Sequence, residues 1–504
     1  MYKDAMLQVL THFYQCDKIL RPDLQPTLCG APTKLSDGII ALETAIAGTV
    51  PPFGELLDPE KTYNKMSFDE IKRMLPELSI PNLIKELGQN TSISEFVIVR
   101  SPVFLQRLSK IMSHTPPDIL RAFFVWKAIQ EYASRIEDPK LEPLKRFQRE
   151  LKGRPTAATS ERWKQCIQAV GQEVPWILSK FYIQDNFPGK AKEFGSKIIN
   201  DVREAFAALL QNAAWMAHED RDVAQKKVQS LAQKVGYPTR NPDVLSSPSL
   251  SSYYKALDIR NTTYFENKLR TAAFNAHLEW QKLGKPTQHE DFGMSPLTVT
   301  AWYTANRNEI GFPAAFLQSP VLYNVSIPSY LSYGALGSVS GHEISHGFDP
   351  SGSKYDYDGK FRNWWSNSTR EAFERKATCF VNQYSNYTIP KSHEKYRVNG
   401  SLTLDENVAD AGGVHAAFSA WRKHEKGHPA PLLKGLEYFT KDQLFFVAYG
   451  RFWCSNGESE ELYRRMLMNA HAPEEVRLLG TMENSREFKE AFGCTGQKPQ
   501  CELW

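Results

Sequence analysis

At 504 residues the chain is too long for one ordinary compact domain, and its 41% hydrophobic content is ample for a large core. The 61 Lys and Arg stand against 57 Asp and Glu, a formal net charge of +4, and the basic residues are scattered rather than gathered into a stripe. Nucleic acid is therefore not an expected partner. Nor does any stretch reach the roughly 20 apolar residues that cross a bilayer, since even QLFFVAYGRFW is short and contains Gln443, Gly450 and Arg451.

The N-terminal MYKDAMLQVLTHFYQC lacks the basic region and unbroken apolar core of a secretory signal. From residue 1 to about 240 the apolar spacing is helical, as in SFDEIKRMLPELSI, ILRAFFVWKAIQEYASRI and SKIINDVREAFAALLQNAAWMAHEDRDVAQKKVQSLAQKV, and predicts an all-helical half. The Pro-, Ser- and Asn-rich YPTRNPDVLSSPSLSSYYKAL reads as a loop and as the domain boundary, dividing the chain into residues 1–250 and 251–504. Beyond it, TVTAWYT and NEIGF are short β-type runs joined by ANR, which suits a hairpin. Helices then alternate with turn-rich loops such as DPSGSKYDYDGK, predicting a mixed α+β second half.

Seven cysteines (Cys16, Cys29, Cys166, Cys379, Cys454, Cys494 and Cys501) include no CxxC pair, and their odd number leaves at least one thiol without an intrachain partner. N-x-S/T sequons occur at Asn90, Asn261, Asn324, Asn367, Asn386 and Asn399. Sequons and cysteines point to an oxidising, secretory environment, whereas no signal peptide is visible.

The segment GALGSVSGHEISHGFD contains HExxH as His342-Glu343-Ile344-Ser345-His346. On a helix, positions i and i+4 share a face, so both imidazoles can bind one Zn²⁺ while Glu343 stands beside the metal to take a proton from water. A catalytic zinc needs a third protein ligand and an open position. In LTLDENVADAGG, Glu406 and Asp410 lie four apart, so Glu406 could complete the coordination while Asp410 accepts a hydrogen bond from a ligand imidazole. The bland alternatives are a chance match on a surface helix and, for Glu406, an ordinary solvated charge.

Together with YNKMSFDEI, RWKQC, KVGYP, RNEIGFPAAFLQ, DGKFRNWW, AHAPEEVRLLGT and the terminal CELW, these segments resemble the neprilysin and endothelin-converting enzyme family of zinc metallopeptidases, from near residue 1 to the last residue. The resemblance implies one zinc per chain held by His342, His346 and Glu406, with Glu343 as general base and Asp349 and Asp410 orienting the two imidazoles. It implies that His471 steadies the oxyanion and that Arg477 grips a substrate carbonyl. Substrate would dock as an added strand beside Thr300 and Ala301, Thr300 standing where the family has Asn. Phe316, Val321, Val339, Phe452 and Trp453 match the apolar pocket for the residue after the scissile bond. Pro350 replaces a common Asp, an alteration of the loop rather than of the chemistry. Cys379 should pair with Cys501, while Cys166, Cys454 and Cys494 match cysteines that pair with a longer N-terminal part of family members, and the roles of Cys16 and Cys29 stay open.

The implied fold is mainly α with a smaller α+β part: a thermolysin-like catalytic domain and a helical domain enclosing a central cavity. The implied protein is a secreted or membrane-anchored endopeptidase acting on oligopeptides. Two rivals stand beside it. A non-catalytic peptide binder or truncated fragment is compatible with Thr300 and the short N-terminus. An intracellular aminopeptidase is suggested by GTMEN at 480–484, but such a string lies upstream of HExxH in aminopeptidases and downstream here.

Overall fold

The computed structural model describes residues 1–14, 32–78, 80–87, 95–153, 161–391, 394–456, 459–494, 496 and 498–504. Cys16, Cys29 and the Asn90 sequon lie outside them. Chain contacts divide the protein into two compact units, one of residues 1–168 with 256–286 and the other of residues 169–255 with 287–504. The helices at 169–255 thus belong with the second half rather than with the first 168 residues, because the longest of them packs into the core of that half.

The first unit is built on α1 (Tyr2–Phe13), α2 (Pro32–Ala47), α3 (Pro117–Tyr132) and α4 (Glu142–Leu151). Each places its apolar residues at helical spacing on one side: Met6, Val9 and Leu10; Leu35, Ile39 and Leu42; Ile119, Ala122, Trp126 and Ile129; and Leu144. Trp126 is fully buried, and its indole N–H donates to the Tyr2 hydroxyl at 2.9 Å, so the one polar atom of the ring is satisfied. The unit also contains an antiparallel pair, β1 (Asn64–Ser67) and β2 (Phe96–Val99). Ser67 ends β1 and forms a reciprocal cap with Glu70, starting the helix Phe68–Met74.

In the second unit, α5 (Gly189–Asn212) carries Ile198, Ile199, Val202, Phe206 and Leu210 on one wholly buried stripe. It is followed by α6 (His218–Gln229) and β3 (Ala232–Gly236). With β1 and β2, β3 is the third short strand within the first 250 residues. It pairs in parallel with the buried β5 (Glu309–Pro313), whose other side takes β4 (Trp302–Thr304) antiparallel, giving the order β3-β5-β4. The hairpin between β4 and β5 turns through Ala305–Arg307 and Asn308, which holds the left-handed conformation at φ 43° that Asn tolerates. The segment read as a boundary loop contains a seven-residue helix, Ser247–Tyr253, capped by Ser246.

Then come α7 (Ser338–Ser345), every residue of it buried, α8 (Asn367–Tyr384), the β6–β7 hairpin (Thr388–Lys391 and Glu394–Arg397), α9 (Leu404–Gly427), α10 (Lys441–Phe452) and α11 (Glu474–Asn484). No described helix is long and apolar enough to cross a membrane.

The packing of α7 on α9 positions the site. A Cβ on Gly341 would lie 2.6 Å from the Gly413 carbonyl oxygen, and one on Gly413 would lie 2.5 Å from the Ser338 oxygen and 2.6 Å from the His342 nitrogen. Only glycine at both positions lets the two backbones approach so closely. His342 on α7 and His346 at its C-cap then face Glu406 and Asp410 on α9. Helix α5 covers the same core from another side, with Phe206 against Phe348 at 5.6 Å between ring centroids.

Candidate metal centre

Three side-chain atoms converge on one point. The His342 and His346 Nε2 atoms are 3.0 Å apart, and Glu406 Oε2 lies 3.2 Å from the first and 3.8 Å from the second. Tetrahedral ligands at zinc bond lengths of about 2.0–2.1 Å stand about 3.3 Å from one another, the scale of these separations. All three residues are nearly buried and mutually within ligand range.

The polar atoms around this point fit a cation. Asp349 Oδ2 sits 2.6 Å from His346 Nδ1, and Asp410 Oδ1 lies 2.8 Å from His342 Nδ1, the latter at ion-pair distance but poorly aligned for a hydrogen bond. Both carboxylates favour a proton on Nδ1, so that each ring, when neutral, turns its Nε2 lone pair inward. Glu406 Oε2 also lies 3.1 Å from His471 Nε2, yet none of its neighbours meets it with hydrogen-bond geometry, so it is a buried acceptor without a hydrogen-bond partner. Buried orphan acceptors are costly, and a divalent ion would satisfy this one.

The charge states follow from the same arrangement. Burial opposes protonation of His346, but Glu406 and Asp349 outweigh it and raise the imidazole to about 10. For His342, burial and the His346 ring are overcome by Asp410 and Glu406, and its value is also raised. Burial pushes Glu406 up, but the imidazoles of His346, His342 and His471 hold it well below the usual carboxylate range. Glu343, only 6% exposed, goes the other way: burial raises it more than the two imidazoles lower it. A carboxylate with a raised pKa is a stronger base, the property required of a group that must take a proton from water.

Around the centre, the sequence-assigned residues are placed as follows. Asp349 is held by backbone N–H groups of Ser351 and Gly352, at 3.0 and 2.6 Å, which donate to Oδ1 and leave Oδ2 for His346. Pro350 has no N–H and takes no donor from this turn. His471 is partly exposed. Its Nδ1 and its backbone N–H both meet Asn469 Oδ1, at 2.7 and 3.0 Å, which orients the ring with Nε2 towards Glu406.

Arg477 is buried on α11 with both branches on Asp410: Nε donates to Oδ2 at 2.7 Å and Nη2 to Oδ1 at 2.8 Å. Its guanidinium lies 4.1 Å from the Trp453 ring centroid, and Nη2 is 3.6 Å from Glu406 Oε2. Thr300 and Ala301 are half-buried just before β4, an edge strand of its sheet, and the Thr300 hydroxyl donates to the Ala301 carbonyl at 3.0 Å. Phe316, Val321 and Val339 are buried in the core, against which Phe452 and Trp453 pack. Phe316 meets Phe452 edge-on at 6.4 Å, and Phe452 meets Trp453 at 4.8 Å.

Asn469 and Lys227 were not singled out by sequence. Asn469 had a local signal, an Asx acceptor two residues before His471. Lys227 had none, since KKVQ on an amphipathic helix reads as solvated charge.

Two models of Peptidase family M13 match the chain, one over residues 2–238 and the other over residues 300–502. An endothelin-converting enzyme homolog of Locusta migratoria is 33% identical over 481 residues, 92% of this chain and 65% of that protein. Neprilysin-11 of Caenorhabditis elegans is 33% identical over 92% of this chain and 55% of its own length. The chain therefore spans little more than half to about two thirds of these relatives. Among solved structures, the inhibitor complex of the zinc metalloprotease Zmp1 of Mycobacterium tuberculosis superposes with a TM-score of 0.85 at 26% identity, covering 99% of this chain and 72% of that one.

Proposed function

Because this chain belongs to peptidase family M13, we propose that it is a zinc-dependent endopeptidase of oligopeptides that favours an apolar or aromatic residue after the scissile bond. The observation that carries the reading is the convergence of His342, His346 and Glu406 from two helices, with the buried Glu343 on the same turn as the imidazoles.

These three residues would hold a zinc ion, which would supply the Lewis acidity that polarises a scissile carbonyl and acidifies water. Glu343 takes the proton of the attacking water and passes it to the departing amine nitrogen. His471, its ring set by Asn469, donates a hydrogen bond to the oxygen on which negative charge develops. Asp349 and Asp410 keep the two imidazoles in the tautomer that presents Nε2. Arg477 fixes Asp410 and directs its remaining donor capacity towards a substrate carbonyl. Backbone groups of Thr300 and Ala301 extend substrate along the edge of β4. Thr300 offers a single hydroxyl, which donates to Ala301, so an anchor of this kind holds substrate less firmly than an amide with two donors and an acceptor. Phe316, Val321, Val339, Phe452 and Trp453 form the apolar wall of the pocket. The disulfide Cys379–Cys501 and the exposure of all five described sequon asparagines support an oxidising, secretory compartment.

The test compares cleavage of an internally quenched peptide by the wild type and by Glu343→Gln, with zinc content measured in both. Zinc in both proteins and cleavage only by the wild type is expected. Equal, negligible cleavage by two zinc-loaded proteins would make the chain a peptide binder. Cleavage that persists on an N-acetylated peptide separates an endopeptidase from an aminopeptidase.

A further inference from the structure

Lys227 is 1% exposed, the one lysine buried to this degree among the described residues. Its ammonium has three N–H bonds and spends them on three backbone carbonyls: Gly347 at 2.7 Å, Gly352 at 2.8 Å and Tyr355 at 2.5 Å. Phe348 and Trp364 offer ring faces at 5.5 and 5.7 Å. No carboxylate is in direct contact with it, and burial pulls its pKa down to about 7 against the more distant attraction of Asp349 and Asp356. A buried charge is expensive and is usually replaced by an apolar side chain unless it has a specific task.

The three carbonyls identify the task. All belong to the turn that leaves α7 immediately after the ligand His346 and carries Asp349. Gly352 is gripped on both sides: its carbonyl accepts from Lys227, and its N–H donates to Asp349 Oδ1 at 2.6 Å. Asp349 Oδ2 in turn holds His346 Nδ1 at 2.6 Å. A continuous series of hydrogen bonds therefore runs from Lys227 through Gly352 and Asp349 to the metal-facing imidazole. The turn has little freedom to drift, since a Cβ on Gly352 would fall 1.7 Å from the His346 carbonyl oxygen.

The backbone of Lys227 is held as well. Its carbonyl accepts from Asn308 Nδ2 at 2.8 Å, and the same amide group reaches Tyr357 O at 3.4 Å. Asn308 is the left-handed corner between β4 and β5, so this knot joins the end of α6, the Asp349 turn and the hairpin of the edge strand.

We propose that Lys227 is a positioning residue for the metal centre: by tying down the turn after α7 it fixes the Asp349 carboxylate, and through it the His346 ring, in the orientation that binds zinc. The inference rests on the zinc reading given above, and the experiment keeps the two apart.

Zinc affinity of the whole chain is measured by competition with a chromophoric chelator. Failure of the wild type to bind zinc overturns the metal-site reading itself. Lys227→Arg retains the charge, but its planar fork cannot aim three N–H bonds at three convergent carbonyls. The expected loss of zinc affinity is about 10-fold or more, the scale for groups that orient a metal ligand. In an Asp349→Ala background the same substitution is expected to cost much less, because the link it acts through is gone. Wild-type affinity in Lys227→Arg, or an equal loss in both backgrounds, overturns the proposal, since a merely structural lysine would act independently of Asp349. Should the variants fail to fold, the unsubstituted chain decides. In ¹⁵N-lysine-labelled protein the slowly exchanging Nζ signal of the buried lysine should shift when zinc is added, and an unmoved signal overturns the proposal.

Discussion

Asp410 has two partners that compete for its charge. It faces His342 with Oδ1 while both its oxygens accept from Arg477, and the three groups are buried together. Burial would raise its pKa, but the Arg477 guanidinium beside it brings it below the usual carboxylate range, so it stays ionised at neutral pH. Asp410→Asn should therefore weaken zinc binding about 10–100-fold, read by chelator competition, and should also lower thermal stability because Arg477 is left with a neutral partner. Glu343→Gln has a different expected signature. In the proposed mechanism Glu343 is the base and not a ligand, so the hydrolytic rate on a quenched peptide should fall by about 10²–10⁴ with zinc content unchanged.

The imidazoles set the pH dependence of metal loading. In the metal-free protein His346 is raised to about 10, so at pH 7 it carries a proton that zinc must displace. Zinc binds neutral imidazoles, so apparent affinity should rise with pH, by about tenfold per unit for each of His342 and His346 that is still protonated, until pH approaches 10. Proton release on zinc addition, measured by calorimetry in buffers of different ionisation enthalpy, checks this, and affinity that is flat with pH would contradict it.

At the level of elements, the crossing of α7 and α9 decides whether the ligands meet. Gly413→Ala would push a methyl into the Ser338 oxygen and the His342 backbone nitrogen, and neither can move without shifting α7. The expected result is a folded protein with sharply reduced zinc binding, visible as similar far-ultraviolet circular dichroism and a lost chelator-competition signal. A metal affinity unchanged from wild type would show that the helices have slack. The doublet Gly412-Gly413 is plain in the sequence, but what presses on it is not. Its neighbours, Ser345 and Trp504 for Gly412 and Ser338 and His342 for Gly413, come from positions about 70 to 90 residues away. Helix α5 makes the same point. Its apolar stripe is legible at i, i+4 spacing, yet periodicity names only a buried face and not the element it meets. That is why composition drew a boundary near residue 250, whereas packing joins residues 169–255 to the second half.

For the whole molecule, the C-terminus is bound into the core of the second unit. Cys501 is joined to Cys379 across 122 residues, and Trp504 packs on Phe206, Trp215 and Phe348 at 5.3–6.3 Å between ring centroids. Closing a loop of this length restricts the unfolded chain by about 4–5 kcal/mol in the chain-entropy picture. Cys379→Ser with Cys501→Ser should therefore lower Tm markedly in a thermal melt. If Trp504 transmits the change to Phe348, beside the Asp349 turn, zinc affinity should fall as well. Chelation of bound zinc should lower Tm further, since a ligand that binds only the folded state stabilises it by mass action.

The sequence by itself determined the chemical inventory: an HExxH motif, the Glu406–Asp410 pair at one helical turn, a cysteine pairing expected by resemblance and found in the structure, and the hairpin around ANR. These signals are local or carried by spacing, and spacing survives in one dimension. Tertiary structure alone decided that Glu406 Oε2 meets two imidazoles, that Arg477 grips Asp410 with both branches, that Asn469 sets the His471 ring, and that a lysine from a distant helix holds the Asp349 turn. Each of these is a contact between residues whose separation in sequence or whose side-chain rotation leaves no periodic trace. The energy of a buried charge, unlike that of a helical face, depends on which partner the fold brings to it.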